Sequence, residues 1–260
     1  MNAHETAIVS ADAEIAEDVI IGPRCVIDGG VKIGRGTSIQ LGAYITGQTT
    51  IGESCQIFPY AVIGTDPQDL KYGGEETSLV IGSANVIREY VTIHRGTMDG
   101  GGQTRVGNNN FVMAYCHIAH DCHIGDHVIF ANAATLGGHV IVEDRAVIGG
   151  LVGVHQFTQI GAYSMTGGCS GIDRDVLPYT QAAGNRAKHF SLNLVGLRRA
   201  GFPSAKIQML KEIYRLIFKA DLKQEVALNR IESEFGETAE ARHILEFVRH
   251  SRRGLCAAQA

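Results

Sequence analysis

The sequence contains no tryptophan and only 5 prolines in 260 residues. It also lacks any uninterrupted apolar run that approaches the roughly 20 residues of a membrane-spanning helix. The N-terminus, MNAHETAIVSADAEIAED, has neither the basic start nor the apolar core of a secretion signal. These absences predict a soluble protein of the cytoplasm that has no transmembrane segment and no large aromatic core.

Positive charge is not in excess, because the formal net charge is -4. Such a balance gives no reason to expect nucleic acid as a partner. The six cysteines are scattered and form no CxxC pair, and a chain without a secretion signal normally keeps its thiols reduced. We therefore expect no disulfide bond and no zinc knuckle.

What the sequence does contain is a six-residue repeat of aliphatic side chains, many of them followed by glycine. The first series is Val9, Ile15, Ile21, Ile27, Ile33, Ile39, Ile45, Ile51, Ile57 and Ile63. A later series is Val106, Val112, Ile118, Ile124, Phe130, Leu136, Val142, Ile148, Val154 and Ile160. This pattern predicts short strands joined by tight corners, each strand contributing one side chain to a narrow interior. Three such sides make one coil of about 18 residues in a parallel β-helix.

The register fails at two places, and each failure predicts a loop inserted into the β-helix. The first lies between Ile63 and Ile81, after which the repeat returns in phase. The second lies between Ile93 and Val106, a step of 13 residues that leaves the repeat one residue out of phase. We therefore expect insertions near 64–80 and 94–105, and loops on such a scaffold often have a functional role.

After about residue 190 the spacing changes from six residues to that of an amphipathic helix. One stripe contains Ile207, Leu210, Tyr214, Ile217 and Phe218, and two further amphipathic segments follow near 222–235 and 238–250. The sequence therefore predicts a mainly β protein of two domains. A parallel β-helix would occupy residues 1–190, and a small α-helical C-terminal domain would occupy residues 191–260.

The repeat register relates one histidine to specific neighbours. His120 is the third residue of the hexad that begins at Ile118, and positions 18 residues apart stack in neighbouring coils about 5 Å apart. Gly138 and Gln156 occupy the equivalent positions in the next two coils. Such a column suits a general base beside a backbone N–H that stabilises an oxyanion. The alternative for Gly138 is a corner glycine with no catalytic role.

Metal binding is the rival interpretation of this region. Zinc is commonly bound by histidine, and the candidate ligands are His117, His120, His123 and His139. They would supply zinc ligands across a subunit boundary, as histidines do in the γ-class carbonic anhydrases on the same fold. The column, however, gives His120 a glycine neighbour rather than another imidazole, so we expect no metal site.

Seven stretches of the sequence resemble the bacterial UDP-N-acetylglucosamine O-acyltransferases that begin lipid A synthesis. They occur in that family's order and span nearly the whole chain: DPQDLKYGGE, IREYVTIHRGT, HIAHDCHIGD, ATLGGHV, VHQF, GGCSG and LRRAGF. Other hexapeptide-repeat acyltransferases share the repeat but not these stretches. One departure is Ala200 in LRRAGF, where a basic residue is common in the family.

The resemblance implies a left-handed β-helix and an acyltransferase. Such an enzyme moves an (R)-3-hydroxyacyl chain from acyl carrier protein to the 3-hydroxyl of UDP-N-acetylglucosamine. By resemblance, His120 is the general base, Asp121 orients its imidazole, and the Gly138 N–H binds the oxyanion. The residues that match substrate-contacting positions are Asp69, Lys71, His117, His139, His155, Gln156, Asn193 and Arg199, of which Lys71 and Arg199 would meet phosphates.

The resemblance also implies a homotrimer with active sites between subunits. Neither a metal nor a cofactor is implied, because acyl carrier protein supplies the acyl thioester. In the acyl groove, Gly168 matches the position of a length ruler, and its missing side chain implies a long hydroxyacyl donor, although Met165 lies near enough to shorten the groove. Candidate contacts for the acidic carrier protein are Arg198, Arg199, Lys206 and Lys211, for which a solvated helix face is the alternative.

Three alternative functions remain beside this one. The sister UDP-sugar N-acyltransferase of the same pathway has an extra N-terminal domain, whereas the hexads here begin at Val9. A metal-dependent hydratase of the γ-carbonic-anhydrase type would be revealed by metal analysis. A solenoid with only a structural or binding role leaves the column of His120 and Gly138 unexplained.

Overall fold

The computed structural model describes residues 1–259. Within this range the strands form three sheets, and strands that are neighbours in a sheet come from successive coils. The first sheet contains β1 (Asn2–Ala3), β4 (Ile20–Ile21), β7 (Ser38–Ile39), β10 (Gln56–Ile57), β13 (Val86–Ile87), β16 (Phe111–Val112), β19 (Ile129–Phe130), β22 (Val147–Ile148), β25 (Met165–Thr166), β27 (Thr180–Ala183) and β28 (Lys188–Leu192).

The second sheet contains β2 (Ile8–Val9), β5 (Val26–Ile27), β8 (Tyr44–Ile45), β11 (Val62–Thr65), β14 (Thr92–His94), β17 (His117–Ile118), β20 (Thr135–Leu136), β23 (Gly153–Val154) and β26 (Gly171–Ile172). The third contains β3 (Glu14–Ile15), β6 (Lys32–Ile33), β9 (Gln48–Ile51), β12 (Ser78–Ile81), β15 (Gln103–Val106), β18 (His123–Ile124), β21 (Ile141–Val142) and β24 (Gln159–Ile160). The pairs are parallel except β27 with β28. The chain therefore winds as a parallel β-helix.

The interior is filled by the aliphatic residue of each hexad. Ile63 and Ile118 are fully buried, and Phe130 is the largest of the fully buried side chains. Each two-residue strand contributes one interior side chain, but the expectation that the interior holds no more is wrong, because the residue two positions earlier is buried as well and is usually small. Four of the six free cysteines occupy this second position: Cys25, Cys55, Cys116 and Cys122.

At each of the two register breaks, the chain leaves the strands and forms an insertion on the β-helix. The first insertion, residues 66–77, connects β11 to β12, and the second insertion, residues 95–102, connects β14 to β15. The predicted loops near 64–80 and 94–105 contain these segments. A 3₁₀ turn, Met98–Gly100, lies in the second insertion, and the Thr97 side chain caps it.

The C-terminal part of the described chain is helical. Its helices are α1 (Leu194–Arg199), α2 (Ser204–Phe218), α3 (Gln224–Phe235) and α4 (Ala239–His250). The buried face of α2 includes Ile213 and Leu216, which the predicted stripe omitted, while Tyr214, Ile217 and Phe218 are half-buried against the same cluster. No helix within residues 1–259 is long and apolar enough to cross a membrane. The division at residue 190 stays a prediction, and β28 crosses it.

Candidate active site

The column predicted from the register is present in the structure. Pairing of β17, β20 and β23 aligns Ile118 with Leu136 and Val154. His120, Gly138 and Gln156 therefore occupy equivalent positions in three successive coils. A Cβ atom placed on Gly138 would lie 2.5 Å from Cε1 and 2.7 Å from Nε2 of His120. The imidazole thus lies directly against the glycine backbone, in space that a side chain at residue 138 would occupy.

His120 and Asp121 form a buried pair at this corner of the β-helix. His120 Nδ1 lies 2.7 Å from Asp121 Oδ2, and the side chains are 12% and 1% exposed. Burial raises the pKa of Asp121, but hydrogen bonds from His120 and Thr97 outweigh it and hold this pKa below its ordinary value. An ionised carboxylate only accepts hydrogen bonds, so the proton of the neutral imidazole lies on Nδ1. His120 Nε2 is left free to accept a proton.

Thr97 of the second insertion holds the other side of Asp121. Its N–H donates to Oδ1 at 2.8 Å, and its hydroxyl donates to Oδ2 at 2.7 Å. The Asp121 N–H in turn donates to the Thr104 hydroxyl at 2.7 Å. A Cβ atom on Gly100 would lie 2.0 Å from Asp121 Cγ, so the insertion packs its backbone against the carboxylate. Thr97 of the second insertion and Thr104 of β15 therefore orient Asp121, a role that sequence reasoning did not assign to either threonine.

The Gly138 N–H is a free hydrogen-bond donor among the described residues. The neighbouring N–H groups are bonded, because Gly137 donates to the Val154 carbonyl and His139 donates to the His120 carbonyl. Gly138 itself is buried. A buried backbone donor beside a base is an arrangement that stabilises negative charge on an acyl oxygen.

A groove of about 990 Å³ runs along the second sheet beside this column. Five of the predicted site residues line it: His117, His120, Gly138, His155 and Gln156. Gln68 of the first insertion also lines the groove, so this insertion folds over the same face. The other end is lined by Arg174, Arg186 and Arg253, which sequence reasoning did not consider.

Two further histidines surround His120. The His139 ring meets His120 edge-on at 5.2 Å and stacks on Phe157 at 4.4 Å. Burial lowers the pKa of His139, although the Asp121 carboxylate opposes the shift. His117 Nδ1 lies 2.7 Å from the Thr92 hydroxyl, and burial together with His120 lowers the pKa of His117. Both rings are thus neutral hydrogen-bonding groups at neutral pH.

Asp69 and Lys71 lie on the first insertion near this cluster. Asp69 Oδ1 accepts from the Lys71 N–H at 3.0 Å, and Lys71 is exposed. The Asp69 carboxylate acts to raise the pKa of His139, although burial still lowers it overall. Asp69 is thus close enough to His139 for its charge to act on that ring.

Eight predicted site residues do not line this groove. Asp121 and His139 lie beside His120, and Asp69 and Lys71 lie on the first insertion. The other four lie on other elements. Asn193 is the N-cap of α1, accepting from the Gly196 N–H at 3.1 Å and donating to the Tyr163 carbonyl at 2.9 Å. Arg199 is exposed at the end of the same helix. Met165 and Gly168 lie at and after β25, on the first sheet. One chain therefore does not bring these four residues together with His120.

His120, Asp121 and His139 place one donor atom each within 4.8 Å of the others, which raises the question of a metal. Tetrahedral zinc with bonds of 2.0–2.1 Å separates two ligand atoms by roughly 3.3 Å. The 2.7 Å between His120 and Asp121 is shorter and is a hydrogen-bond distance. His123, another candidate ligand, lines a separate pocket with Arg105. The donor set therefore fits a hydrogen-bonded pair better than a zinc site.

The family models match two parts of the chain. One described as "Udp N-acetylglucosamine O-acyltransferase; Domain 2" matches residues 175–256. One described as "Bacterial transferase hexapeptide (six repeats)" matches residues 12–47 and 103–138. The second match includes His120 and Gly138.

Full-length relatives extend this similarity to the whole chain. An acyl-(acyl-carrier-protein)–UDP-N-acetylglucosamine O-acyltransferase of Thermodesulfovibrio yellowstonii is 53% identical over 253 residues, which cover 97% of this chain and 98% of the relative. A relative with the same name from Syntrophobacter fumaroxidans is 49% identical over 256 residues, covering 98% and 99% of the two chains.

Solved structures agree with these relatives. LpxA from Acinetobacter baumannii matches with a TM-score of 0.95 and 45% identity, covering 98% of this chain and 99% of that one. UDP-N-acetylglucosamine acyltransferase from Campylobacter jejuni matches with a TM-score of 0.94 and 37% identity, covering 99% and 100%. The β-helix is therefore left-handed, as the resemblance implied. On this evidence the chain belongs to the UDP-N-acetylglucosamine O-acyltransferase family.

Proposed function

We propose that the protein transfers an (R)-3-hydroxyacyl chain from acyl carrier protein to the 3-hydroxyl of UDP-N-acetylglucosamine, the first step of lipid A synthesis. The names of the relatives give the donor and the acceptor. The observation that supports the chemistry is the His120 imidazole, which Asp121 holds beside the backbone of Gly138, a residue whose N–H has no other acceptor within residues 1–259. A base and an oxyanion donor then face one reacting carbonyl.

Each of these groups has a defined role in the reaction, and His120 acts first as a base and then as an acid. His120 Nε2 takes the proton of the sugar hydroxyl as the oxygen attacks the thioester carbonyl. The Gly138 N–H donates to the oxyanion of the tetrahedral intermediate. The C–S bond then breaks, and the imidazolium returns the proton to the leaving sulfur, so an ester and a thiol form. Asp121 stabilises the imidazolium while the intermediate exists.

The substrate contacts are part of this proposal. Those at or beside the groove are Asp69, Lys71, His117, His139, His155 and Gln156. Asn193 and Arg199 lie outside the groove of their own chain, which supports a homotrimer whose neighbouring subunit completes each site. Light scattering is expected to give the molar mass of three chains, and a monomer that retains full activity would contradict the shared site.

The helical part supplies the candidate contacts for acyl carrier protein. Arg198, Arg199 and Lys211 are exposed, whereas Lys206 lies 2.5 Å from Glu240 and is partly neutralised by it. An acidic carrier protein would meet the first three more readily than the fourth. The cytoplasmic location stays a prediction.

The test is acyl transfer by the purified protein from (R)-3-hydroxyacyl carrier protein. The acceptor is UDP-N-acetylglucosamine in one arm and, in the other, a UDP-sugar with an amine in place of the 3-hydroxyl. We expect an O-acyl product from the first. Acylation confined to the amine would support the sister N-acyltransferase, and no transfer in either arm would reject the proposal.

We propose that transfer needs neither a metal nor a cofactor. The support is the close His120–Asp121 hydrogen bond, which a shared metal would have to break. Incubation with a chelator and then gel filtration is expected to leave the transfer rate unchanged. Stoichiometric zinc in the protein, together with carbonic anhydrase activity, would instead support the hydratase.

Thr97 gives a test of how Asp121 is held. Thr97→Val keeps the shape but removes the hydroxyl donor, and a hydrogen bond to a charged group contributes about 1.5–3 kcal/mol. We therefore expect kcat to fall about tenfold or more. Without this donor the pKa of Asp121 rises, so the acid side of the kcat/KM profile moves to higher pH. Thr97→Ser retains the hydroxyl and should behave as wild type, and equal effects of the two substitutions would contradict this role.

Gly168 gives a test of the proposed acyl ruler. A Cβ atom there would meet the Gly150 carbonyl oxygen at 3.3 Å and the Gly150 nitrogen at 4.0 Å, so a side chain at this position needs only a small shift of its neighbour. We expect the wild type to prefer a fourteen-carbon donor over a ten-carbon one, and Gly168→Met to reverse the preference by at least about tenfold in kcat/KM. Gly168→Ala should lie between them. A wild type that uses the ten-carbon donor equally well would contradict the ruler.

A further inference from the structure

The column that contains His120 extends one coil beyond Gln156. β23 pairs with β26, so Val154 aligns with Ile172. Arg174 follows Ile172 by two residues, as His120 follows Ile118 three coils earlier. With roughly 5 Å between neighbouring coils, the backbone at Arg174 lies about 15 Å along the groove from the backbone at His120.

Arg174 is part of a basic cluster at this end of the groove, which it shares with Arg186 and Arg253. The nearest carboxylate is Asp173, whose Oδ2 lies 3.3 Å from Arg186 Nε and whose carbonyl accepts from Arg253 Nε at 2.8 Å. Arg186 is 84% exposed, and Arg174 is exposed. Three guanidinium groups thus face the groove with the half-buried Asp173 carboxylate among them.

Asp175 is the other carboxyl group near Arg253 and interacts with its charge, so the three guanidinium groups have two carboxyl groups near them in all. It is fully buried. Its Oδ1 accepts from the Gln159 N–H at 2.8 Å, and its Oδ2 accepts from the Ser251 hydroxyl. The cluster therefore presents a net positive charge to the groove, with donors that suit a phosphate group.

We propose that Arg174, Arg186 and Arg253 bind the phosphate of the phosphopantetheine arm that carries the acyl thioester. The inference rests on the proposed function. Between its sulfur and its phosphorus the arm has about as many chain atoms as four residues, which span roughly 14 Å when extended. A thioester at His120 and Gly138 therefore places the phosphate three coils away, at the cluster. The diphosphate of the nucleotide sugar is joined to the ring that bears the reacting hydroxyl, so it lies one ring width from His120.

The test compares two small donors in the full enzyme, a hydroxyacyl-phosphopantetheine and the hydroxyacyl-pantetheine that lacks the phosphate. A hydrogen-bonded ion pair with phosphate predicts that the wild type prefers the phosphorylated donor about tenfold or more in kcat/KM. In Arg174→Gln, and in the triple substitution with R186Q and R253Q, this preference should fall toward one. The KM for UDP-N-acetylglucosamine should stay unchanged. The matched control is Arg35→Gln, an exposed arginine on an N-terminal coil.

The possible outcomes distinguish a failure of the proposed function from a failure of the phosphate site. If the wild type uses neither donor nor acyl carrier protein, the proposed function fails. If it uses both small donors equally well, the function stands and the phosphate site is wrong. If the arginine substitutions raise the KM for the nucleotide sugar and leave the donor preference intact, the cluster binds the diphosphate instead. The Arg174 side chain makes no hydrogen bond within residues 1–259, so R174Q tests the site without disturbing the fold. For the triple variant, a thermal unfolding measurement checks that the fold is retained.

Discussion

His120→Ala is expected to lower kcat by about 10²- to 10⁴-fold, the usual contribution of a general base. The substitution removes the one side chain that both contacts Asp121 and faces the Gly138 backbone. Without it, the sugar hydroxyl must lose its proton to water. The KM values should change far less, because the other groove residues remain. Steady-state kinetics of acyl transfer measures both parameters.

Two companion variants make the His120 experiment specific. Asp121→Asn keeps the imidazole in place but exchanges an acceptor-only group for an amide, so it should lose most of the same activity through the wrong tautomer. His4→Ala, an exposed histidine at the first coil, should have wild-type kinetics. A kcat within about threefold of wild type in folded His120→Ala protein would assign the base to another group and overturn the mechanism.

The β-helix was predictable because the six-residue repeat of the sequence is also the repeat of its strands and corners. One aliphatic residue in six sets the strand, the corner and the coil, and the strand pairs of the structure follow the same count. The second buried position escaped prediction since small residues there vary in type: Val19, Cys25, Thr37, Ala43 and Asn85. No single residue type identifies this position in the sequence, although its residues are buried in the structure. The same variation in residue type explains why the sequence did not predict that four of the cysteines fill the interior.

The site was predictable only where it follows the register. Counting by 18 residues aligned His120 with Gly138 because each step is one parallel strand pair. The role of Thr97 could not be predicted, because its contact with Asp121 depends on how a non-repeating insertion folds over the corner. The one available signal was the 13-residue step between Ile93 and Val106, which located the insertion but not its contacts.

The arginine cluster combines one residue that follows the register with two that do not. Arg174 follows the same 18-residue count as His120, so its place in the column was available from the sequence. Arg186 and Arg253 come from segments outside the repeat, and their approach to Arg174 depends on the packing of the C-terminal part. Periodicity thus predicts positions along the groove, whereas tertiary folding decides what joins them.

Gly138→Ala should be the most damaging single-methyl change in the β-helix for activity. The new Cβ would lie 2.5 Å from Cε1 of His120, closer than any normal contact, so the imidazole must move. Movement of the ring breaks its geometry with Asp121 and pushes it into the space of the substrate. A misplacement of about 1 Å typically costs on the order of 10²-fold in rate, and we expect a loss in kcat of that size.

Backbone strain does not account for the expected loss at residue 138. Gly138 is not in the left-handed region, so alanine is allowed there and the melting temperature should stay close to that of wild type. Gly29→Ala is the matched control, because its Cβ would meet neighbours at 3.4–3.8 Å, an ordinary contact distance. Activity should be retained in Gly29→Ala and lost in Gly138→Ala at similar stability. Full activity in folded Gly138→Ala would mean that the imidazole works from another position, and the oxyanion role of this backbone would then fail with it.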